Sequence, residues 1–192
     1  LRDSITSISD HQYGELHLYD NSVYLSDSMD DEEREELETY LSDNNDINAF
    51  MNVKMSSITS GYGEEEVDAY LTVIDDLKTA EEFFVFRNRK TKAGYELTDD
   101  GIIITEKAAS LLGAKAGDVI LLSEEGKNQK KVEITAVCEN YAGHYIYMTS
   151  ELYEELYEEE PFYNCVLLKA DDDTTTAEIE KISDKILEFE DI

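Results

Sequence analysis

The chain has 192 residues, 41% of them apolar, and its 46 Asp and Glu against 16 Lys and Arg give a net charge of −30. This length and apolar content are enough for folding as one domain or two small lobes. The charge argues against nucleic acid as a partner, because binding a polyanion needs Lys and Arg beside the phosphates. The same field attracts basic peptides and basic protein surfaces, although plain solubility explains the charge equally well.

Alternation and helical spacing predict the elements of the first part of the chain. Residues 12–25 predict a strand, a turn and a second strand. Residues 26–46 begin with acidic side chains, which suit the first turn of a helix, and continue with apolar residues at helical spacing. They predict an amphipathic helix with an acidic outer face. Residues 49–60 and 66–75 predict two strands joined by a glycine-based turn at 61–63.

In the middle of the chain, the residues that begin and end the predicted elements are easier to identify. Residues 77–89 fit a short helix and a strand equally well. The run GIIIT predicts a buried strand, followed by a helix that begins at Thr105 and ends at Gly113. Residues 119–137 contain two apolar runs around a polar turn, which predicts an antiparallel hairpin. The run HYIYM at 144–148 predicts one more strand.

The last part of the chain repeats the mixture of helix and strand. Ser150 is the expected cap of a short helix that Pro161 closes. Residues 164–170 predict a strand, and Thr175 with Glu178 forms a capping-box pattern at the start of a terminal amphipathic helix. We expect this helix to pair with the early one across one sheet. The whole pattern predicts an α+β fold rather than a doubly wound α/β fold.

The three histidines are the natural candidates for a metal site or a general base. His11 and His17 are six residues apart in a segment expected to be extended, which separates them by about 20 Å. They therefore cannot share a metal ion. His144 lies between tyrosines after a glycine, and we interpret it as a packed or hydrogen-bonded structural residue.

Motifs for catalysis or metal binding are missing from the sequence. It has no Gly-x-Ser-x-Gly elbow, no phosphate-binding glycine loop and no His-Glu-x-x-His helix. The acidic runs at 30–33, 158–160 and 171–173 lack the spacing of a calcium-binding loop. Cys138 and Cys165 lie in apolar, strand-like runs, which favours two buried thiols over a disulfide. We therefore expect no catalytic residue, no cofactor and no metal.

Residues Gly101 to Leu122, GIIITEKAASLLGAKAGDVILL, resemble the core of the extracytoplasmic domain of FtsX-like, MacB-type ABC transporter permeases. In that family a short strand leads into a helix, a Gly-Asp turn and another strand. Residues 130–157 resemble the segment that follows in the family's domain. The sequence from Tyr141 to Met148 looks most like that of the large permeases of Gram-positive bacteria. Residues 164–187 resemble the strand and helix that return the chain to the membrane-proximal lobe of the family's domain.

The resemblance implies a two-lobed α+β domain. A discontinuous α/β-sandwich lobe, proximal to the membrane, would comprise residues 1–75 and 162–192, and a strand-rich inserted lobe would comprise 76–161. It also implies a non-catalytic domain on the extracytoplasmic face of the cell membrane. Its partners would be flanking transmembrane helices of the same permease and a separate ATP-binding-cassette subunit. The net charge adds a cationic peptide or a basic extracellular protein to the expected partners.

Two other classes of function remain open on the sequence. A secreted hydrolase acting on cell-wall polymers through a carboxylate pair would need a cleft with two carboxylates of different pKa. A free-standing acidic adhesion or scaffold module would use the charge only as a solvated face. The permease hypothesis differs from both because it demands apolar runs of about 20 residues on either side of the domain.

Overall fold

The computed structural model describes residues 12–26, 29–171 and 173–189, which form five α-helices and eight strands. The helices are α1 (Asp31–Asp43), α2 (Leu77–Ala80), α3 (Glu106–Leu112), α4 (Ser150–Tyr157) and α5 (Thr176–Glu188). The strands are β1 (Asn21–Tyr24), β2 (Ile47–Tyr62), β3 (Glu65–Ile74), β4 (Ile102–Thr105), β5 (Val119–Glu124), β6 (Lys130–Cys138), β7 (Tyr145–Thr149) and β8 (Cys165–Ala170). The mixture confirms the predicted α+β class.

Six of the strands close into a barrel. The sheet order is β1-β8-β2-β3-β7-β4-β6-β5, and β5 pairs back onto β2, so that β2 to β7 form a ring. The pairs β3–β7 and β4–β6 are parallel, and the other neighbours in the ring are antiparallel. Closure satisfies backbone groups that an open edge would leave unpaired. The predicted hairpin of β5 and β6 is therefore one segment of a barrel wall.

The long strand β2 connects the barrel to a smaller sheet. Along one edge, its first half pairs with β8 and its second half pairs with β5. The side chain of Asn164 fills the gap between them, because its amide accepts from Met55 N at 2.8 Å and donates to Met55 O at 2.9 Å. The amide thus replaces the missing strand partner. β1 then pairs with β8 and completes the smaller sheet.

The barrel interior is the largest apolar core. Side chains that alternate along all six strands point inward and are buried, as their period of two requires. Helices α3 and α4 contribute to the same core through Leu112, Leu152 and Tyr153. Helix α3 begins after Thr105 and ends at Gly113, whose φ of 68° is the left-handed conformation that glycine favours at this position. Both ends agree with the prediction.

Two further cores cover parts of the remaining sheet surface. On the outer side of the barrel, α2 and the segment after it place Phe83, Phe84 and Leu97 against Val53 and Tyr147. On the smaller sheet, α1 and α5 share a core that includes Leu37, Leu41, Ile182 and Ile186. The rings of Tyr40 and Phe189, one from each helix end, have centroids 5.7 Å apart. The predicted pairing of the early and terminal helices is therefore confirmed.

Two local predictions are wrong. The expected first strand is instead a π-helical turn, Gln12–Leu16, in which His17 N donates to Gln12 O at 2.8 Å. His17 forms only an isolated bridge with Phe84, so its apolar surroundings come from side-chain packing and not from a strand ladder. The cap of α4 is Thr149 rather than Ser150, because the Thr149 hydroxyl accepts from Leu152 N at 3.1 Å.

The ambiguous segment 77–89 contains the short helix α2, and the phenylalanines that follow it pack without forming a long strand.

The predicted division into residues 1–75 with 162–192 and residues 76–161 stays a prediction. β2 and β3, from the first range, pair with β5 and β7 from the second. In the part of the chain that the structure describes, no helix has the length and apolar character needed to cross a membrane.

Candidate partner-binding face

The outer side of the barrel is covered only in part. Along β2, outward-facing Met51 and Val53 lie under the core that α2 helps to form. Two residues further along the strand, Met55 is only partly covered, and its partner on β3 is Thr72. The next outward residue of β3, Tyr70, pairs with Ser57 of β2 on one side and with Tyr145 of β7 on the other. The part of the outer barrel surface that the core leaves uncovered therefore carries aromatic side chains.

Two tyrosines on this surface are unusually exposed for large side chains. Tyr24 is 53% exposed and Tyr70 is 50% exposed. The Tyr24 hydroxyl donates to the sulfur of Met55 at 3.8 Å, and the rings of Tyr70 and Tyr145 have centroids 5.8 Å apart. Together they border a depression of about 400 Å³. We call it the tyrosine face, and its residues are Tyr19, Asp20, Asn21, Ser22, Tyr24, Met55, Tyr70 and Tyr145.

A second depression, of about 620 Å³, continues from Tyr70. It is lined by residues of β2, β3 and β5 and by His144, and its carboxylates are Asp68, Glu124 and Glu125. Glu124 is engaged by Lys54 Nζ at 2.6 Å and by the hydroxyls of Ser56 and Tyr153. Of the residues that the structure describes, no Lys or Arg lines the two depressions. This part of the face is therefore acidic.

The sign of the charge changes at the far end of the face. A third depression, of about 440 Å³, shares Gly143 and His144 with the second and contains Arg89 and Lys107. Arg89 pairs with Glu106 at 2.6 Å, and its guanidinium lies 4.3 Å from the centre of the Tyr141 ring. Four of the 16 basic residues of the chain fall between 87 and 92. The face thus runs from an acidic, aromatic end to a basic end.

A buried carboxylate organises the basic end. Glu139 has a fully buried side chain that accepts from Arg87 Nε at 2.6 Å, from Lys92 Nζ at 2.8 Å and from the Tyr141 hydroxyl at 2.5 Å. Burial raises the pKa of Glu139, but the hydrogen bonds from Lys92, Tyr141 and Arg87 outweigh it and lower the pKa to about 2. The carboxylate is ionised and enclosed by its partners, which suits a structural role.

The loop between β6 and β7, residues 139–144, is held by the amino-terminal part of the described chain. Gln12 is almost fully buried, and its side-chain oxygen accepts from Tyr141 N at 2.8 Å and from Ala142 N at 3.2 Å. Arg87 adds a second link, because it pairs with Glu15 as well as with Glu139. The loop before β7 is therefore fixed at one side by Gln12 and lines the face at the other side through His144.

The structure separates the histidines by environment. His17 is 3% exposed, and its Nε2 lies 3.0 Å from the Tyr147 hydroxyl and 3.2 Å from Gln12 Nε2. Burial lowers the pKa of His17 to about 4. His144 lies on the candidate face with Nδ1 3.2 Å from Asp68 O. His11 lies outside the described residues.

The acidic runs serve local structure where they are described. Asp30 accepts from the amides of Glu32 and Glu33 at the start of α1, and Glu33 accepts in return from Asp30 N. Glu159 pairs with Lys127. Of the run at 171–173, position 172 lies outside the described residues. Across the described ranges, no three His, Cys, Asp or Glu side chains come together in an arrangement that could hold a metal ion.

Both cysteines carry free, buried thiols, as predicted. Burial raises the pKa of Cys138 and of Cys165 to about 12.

The tyrosine face is a feature that the sequence does not predict. Its signal in the sequence is that Tyr70 alternates with the apolar residues Ala69 and Leu71 along its strand. That signal does not say which strands are neighbours.

The fold resembles those of two solved structures. One is the extracellular domain of the noncanonic ABC-type transporter YknZ from Gram-positive bacteria, with 17% identity, a TM-score of 0.51, and 86% of this chain and 90% of that chain covered. The other is the periplasmic region of MacB from Actinobacillus actinomycetemcomitans, with 14% identity, a TM-score of 0.51, and coverage of 86% and 80%. No protein-family profile and no curated protein matches the sequence. The chain therefore shares the fold of these two extracytoplasmic domains.

Proposed function

We propose that this chain is the extracellular domain of an ABC transporter permease, and that it binds a partner outside the membrane without catalysis of its own. The observation that carries the proposal is the shared fold over 86% of this chain and 90% of the YknZ domain. The resemblance of Gly101 to Met148 to the same group of permeases was found independently in the sequence. The domain would lie on the outer face of the cell membrane, attached to transmembrane helices of the permease.

The charge of the domain supports a cationic partner. A net charge of −30 attracts basic peptides or proteins and steers them to an acidic surface. The acidic and aromatic end of the candidate face is a concave surface suited to such a partner. Glu124 and Glu139, the buried carboxylates of the described residues, are engaged by basic and hydroxyl groups, which gives the hydrolase alternative no support from them.

Coupling to ATP-driven movement requires a physical link between the face and the membrane. We propose that Gln12 is part of this link, because it holds the amides of Tyr141 and Ala142 in the loop that also carries His144. A shift of the segment around Gln12 would move the loop and change the shape of the face. A rigid-body movement of residues 1–75 with 162–192 against residues 76–161 would have to break the β2–β5 and β3–β7 pairs, so the movement that we propose is of the loop itself.

The location is tested in cells that express the complete natural gene product together with its neighbouring ATPase. A single accessible thiol is introduced by Ser57→Cys on the outer face of β2, and intact cells are treated with a membrane-impermeant maleimide. We expect labelling in intact cells at the level seen after lysis. The unsubstituted protein is the control and sets the background labelling, because the two cysteines of this chain are buried. Labelling that requires lysis would overturn the extracellular location, and with it the proposed function.

A further inference from the structure

We propose that the tyrosine face, together with the adjoining Asp68 of the second depression, binds an extended basic peptide segment, with Lys or Arg side chains over the rings of Tyr24 and Tyr70 and between the carboxylates of Asp20 and Asp68. This proposal rests on the proposed function and specifies the partner and its place. The partner would be a cationic peptide in an extended conformation.

The exposure of the two rings is the first argument. Burial of aromatic rings contributes strongly to stability, so rings that stay half exposed on a concave surface mark a contact surface. Tyrosine is enriched at the centres of protein interfaces. Its ring face also attracts a Lys ammonium or an Arg guanidinium. Tyr24 and Tyr70 border the same depression, so a single peptide can contact both.

Charge complementarity is the second argument. Asp20 and Asp68 are exposed, one beside each tyrosine, and no Lys or Arg lines the depressions that contain them. Each carboxylate accepts one hydrogen bond, Asp20 from Ala170 N and Asp68 from the Thr59 hydroxyl, which fixes its position. A basic side chain that binds here therefore contacts a carboxylate whose position is already fixed by a hydrogen bond. Beyond His144, Arg89 and Lys107 would repel further basic residues.

The shape of the surface favours an extended conformation. Met55, Ser57 and Thr59 line the two depressions in succession along β2. At about 3.3 Å per residue, the length from Met55 to Thr59 is roughly 13 Å. An extended segment of about four residues covers this length, and every second side chain points toward the surface. A helix of the same length in ångströms would need about nine residues and a wider groove.

The test uses the 192-residue chain and a synthetic nonapeptide of alternating Lys and Thr, blocked at both ends. Binding is measured by isothermal titration calorimetry at low and at physiological salt. We expect the Tyr24→Ala/Tyr70→Ala variant to bind about tenfold more weakly, since two exposed cation–π contacts contribute about 0.5–1 kcal/mol each. The Asp20→Asn/Asp68→Asn variant, which keeps the hydrogen-bond acceptors, is expected to bind more weakly and with a smaller salt dependence.

Matched variants separate the site from the general field. Leu111→Ala removes an exposed apolar side chain outside the face, and Glu36→Gln/Asp99→Asn removes two exposed charges elsewhere. Both should bind within twofold of the unsubstituted chain, and thermal melting checks that all variants are folded. Equal weakening by the control charges, no effect of the tyrosine pair, or equal binding of an alternating Glu and Thr peptide would overturn the proposal. Any of these results with intact extracellular labelling would leave the proposed function standing.

Discussion

Arg87 Nε lies 2.6 Å from Glu139 Oε2, and the Glu139 side chain has no exposure to solvent. The two residues are 52 positions apart in the chain, and Arg87 also reaches Glu15. One guanidinium therefore connects the amino-terminal turn, the segment after α2 and the end of β6. The stability of this junction is the basis of the first prediction.

Replacing Glu139 with Gln should destabilise the fold by about 3 kcal/mol, because it leaves Arg87 and Lys92 without their shared buried carboxylate. The measurement is the free energy of unfolding in urea at neutral pH. Glu106→Gln is the matched control, since Glu106 is one-third exposed and has one ion pair, with Arg89. Its loss should cost less than about 1 kcal/mol. Equal effects of the two substitutions would contradict the structural role of Glu139.

Glu139 should also contribute a specific acid dependence of stability. Its pKa is lowered to about 2 in the folded chain, so its contribution is complete above the ordinary pKa of 4.5 and is lost as the pH falls toward about 2. The difference in unfolding free energy between the unsubstituted chain and Glu139→Gln should therefore be constant above about pH 6. A difference that vanishes above pH 6 would show that the carboxylate is not held ionised.

His17 should make the fold less stable as the pH falls below about 6.5, a range above the one in which Glu139 acts. The unfolded chain takes up a proton on this histidine near pH 6.5, whereas burial lowers its folded pKa to about 4. Stability therefore falls as the pH drops from 6.5 to 4, by about 2 kcal/mol between pH 7.5 and pH 5. His17→Gln should remove that part of the slope. His144→Gln leaves His17 in place and should keep it, and a slope unchanged in both variants would refute the assignment.

Gln12 is expected to hold the loop before β7. Gln12→Ala leaves the amides of Tyr141 and Ala142 without their acceptor, which costs about 1–3 kcal/mol when such groups are buried. Hydrogen exchange of these two amides should accelerate by about tenfold or more, while the amide of Ile146 in β7 should change little. Uniform acceleration across β7 would indicate a global loss of stability, and no acceleration would remove Gln12 from the proposed link.

Gly101 precedes β4 at a point where there is no room for a side chain. A Cβ at this position would overlap with the Glu133 carbonyl oxygen and lie 2.9 Å from the Thr135 methyl group. Gly101→Ala should therefore cost about 1–3 kcal/mol through forced backbone displacement. Gly94→Ala is the control, because its nearest contact is an ordinary 3.9 Å and its φ is not positive. Thermal melting of the two variants distinguishes them, and equal melting temperatures would contradict the close approach.

The local elements were predictable because their causes are local. The capping pattern of Thr175 and Glu178, the glycine at the end of α3 and the alternation along β6 each act within a few residues. The strand expected at 12–18 failed because the decisive contacts of Gln12 and His17 are with Tyr141 and Tyr147, about 130 residues away. A tertiary environment replaced the local preference there.

The sequence by itself determined the α+β class, most helices and strands, the buried thiols and the acidic charge, since these depend on composition and short-range periodicity. Only the tertiary structure decided that β5 closes on β2, that Asn164 fills the gap between two strand partners, and that Tyr24 and Tyr70 border one depression. The physical reason is that pairing between distant strands is chosen by the packing of whole surfaces. A period of two tells which way a side chain faces, but not which strand lies beside it.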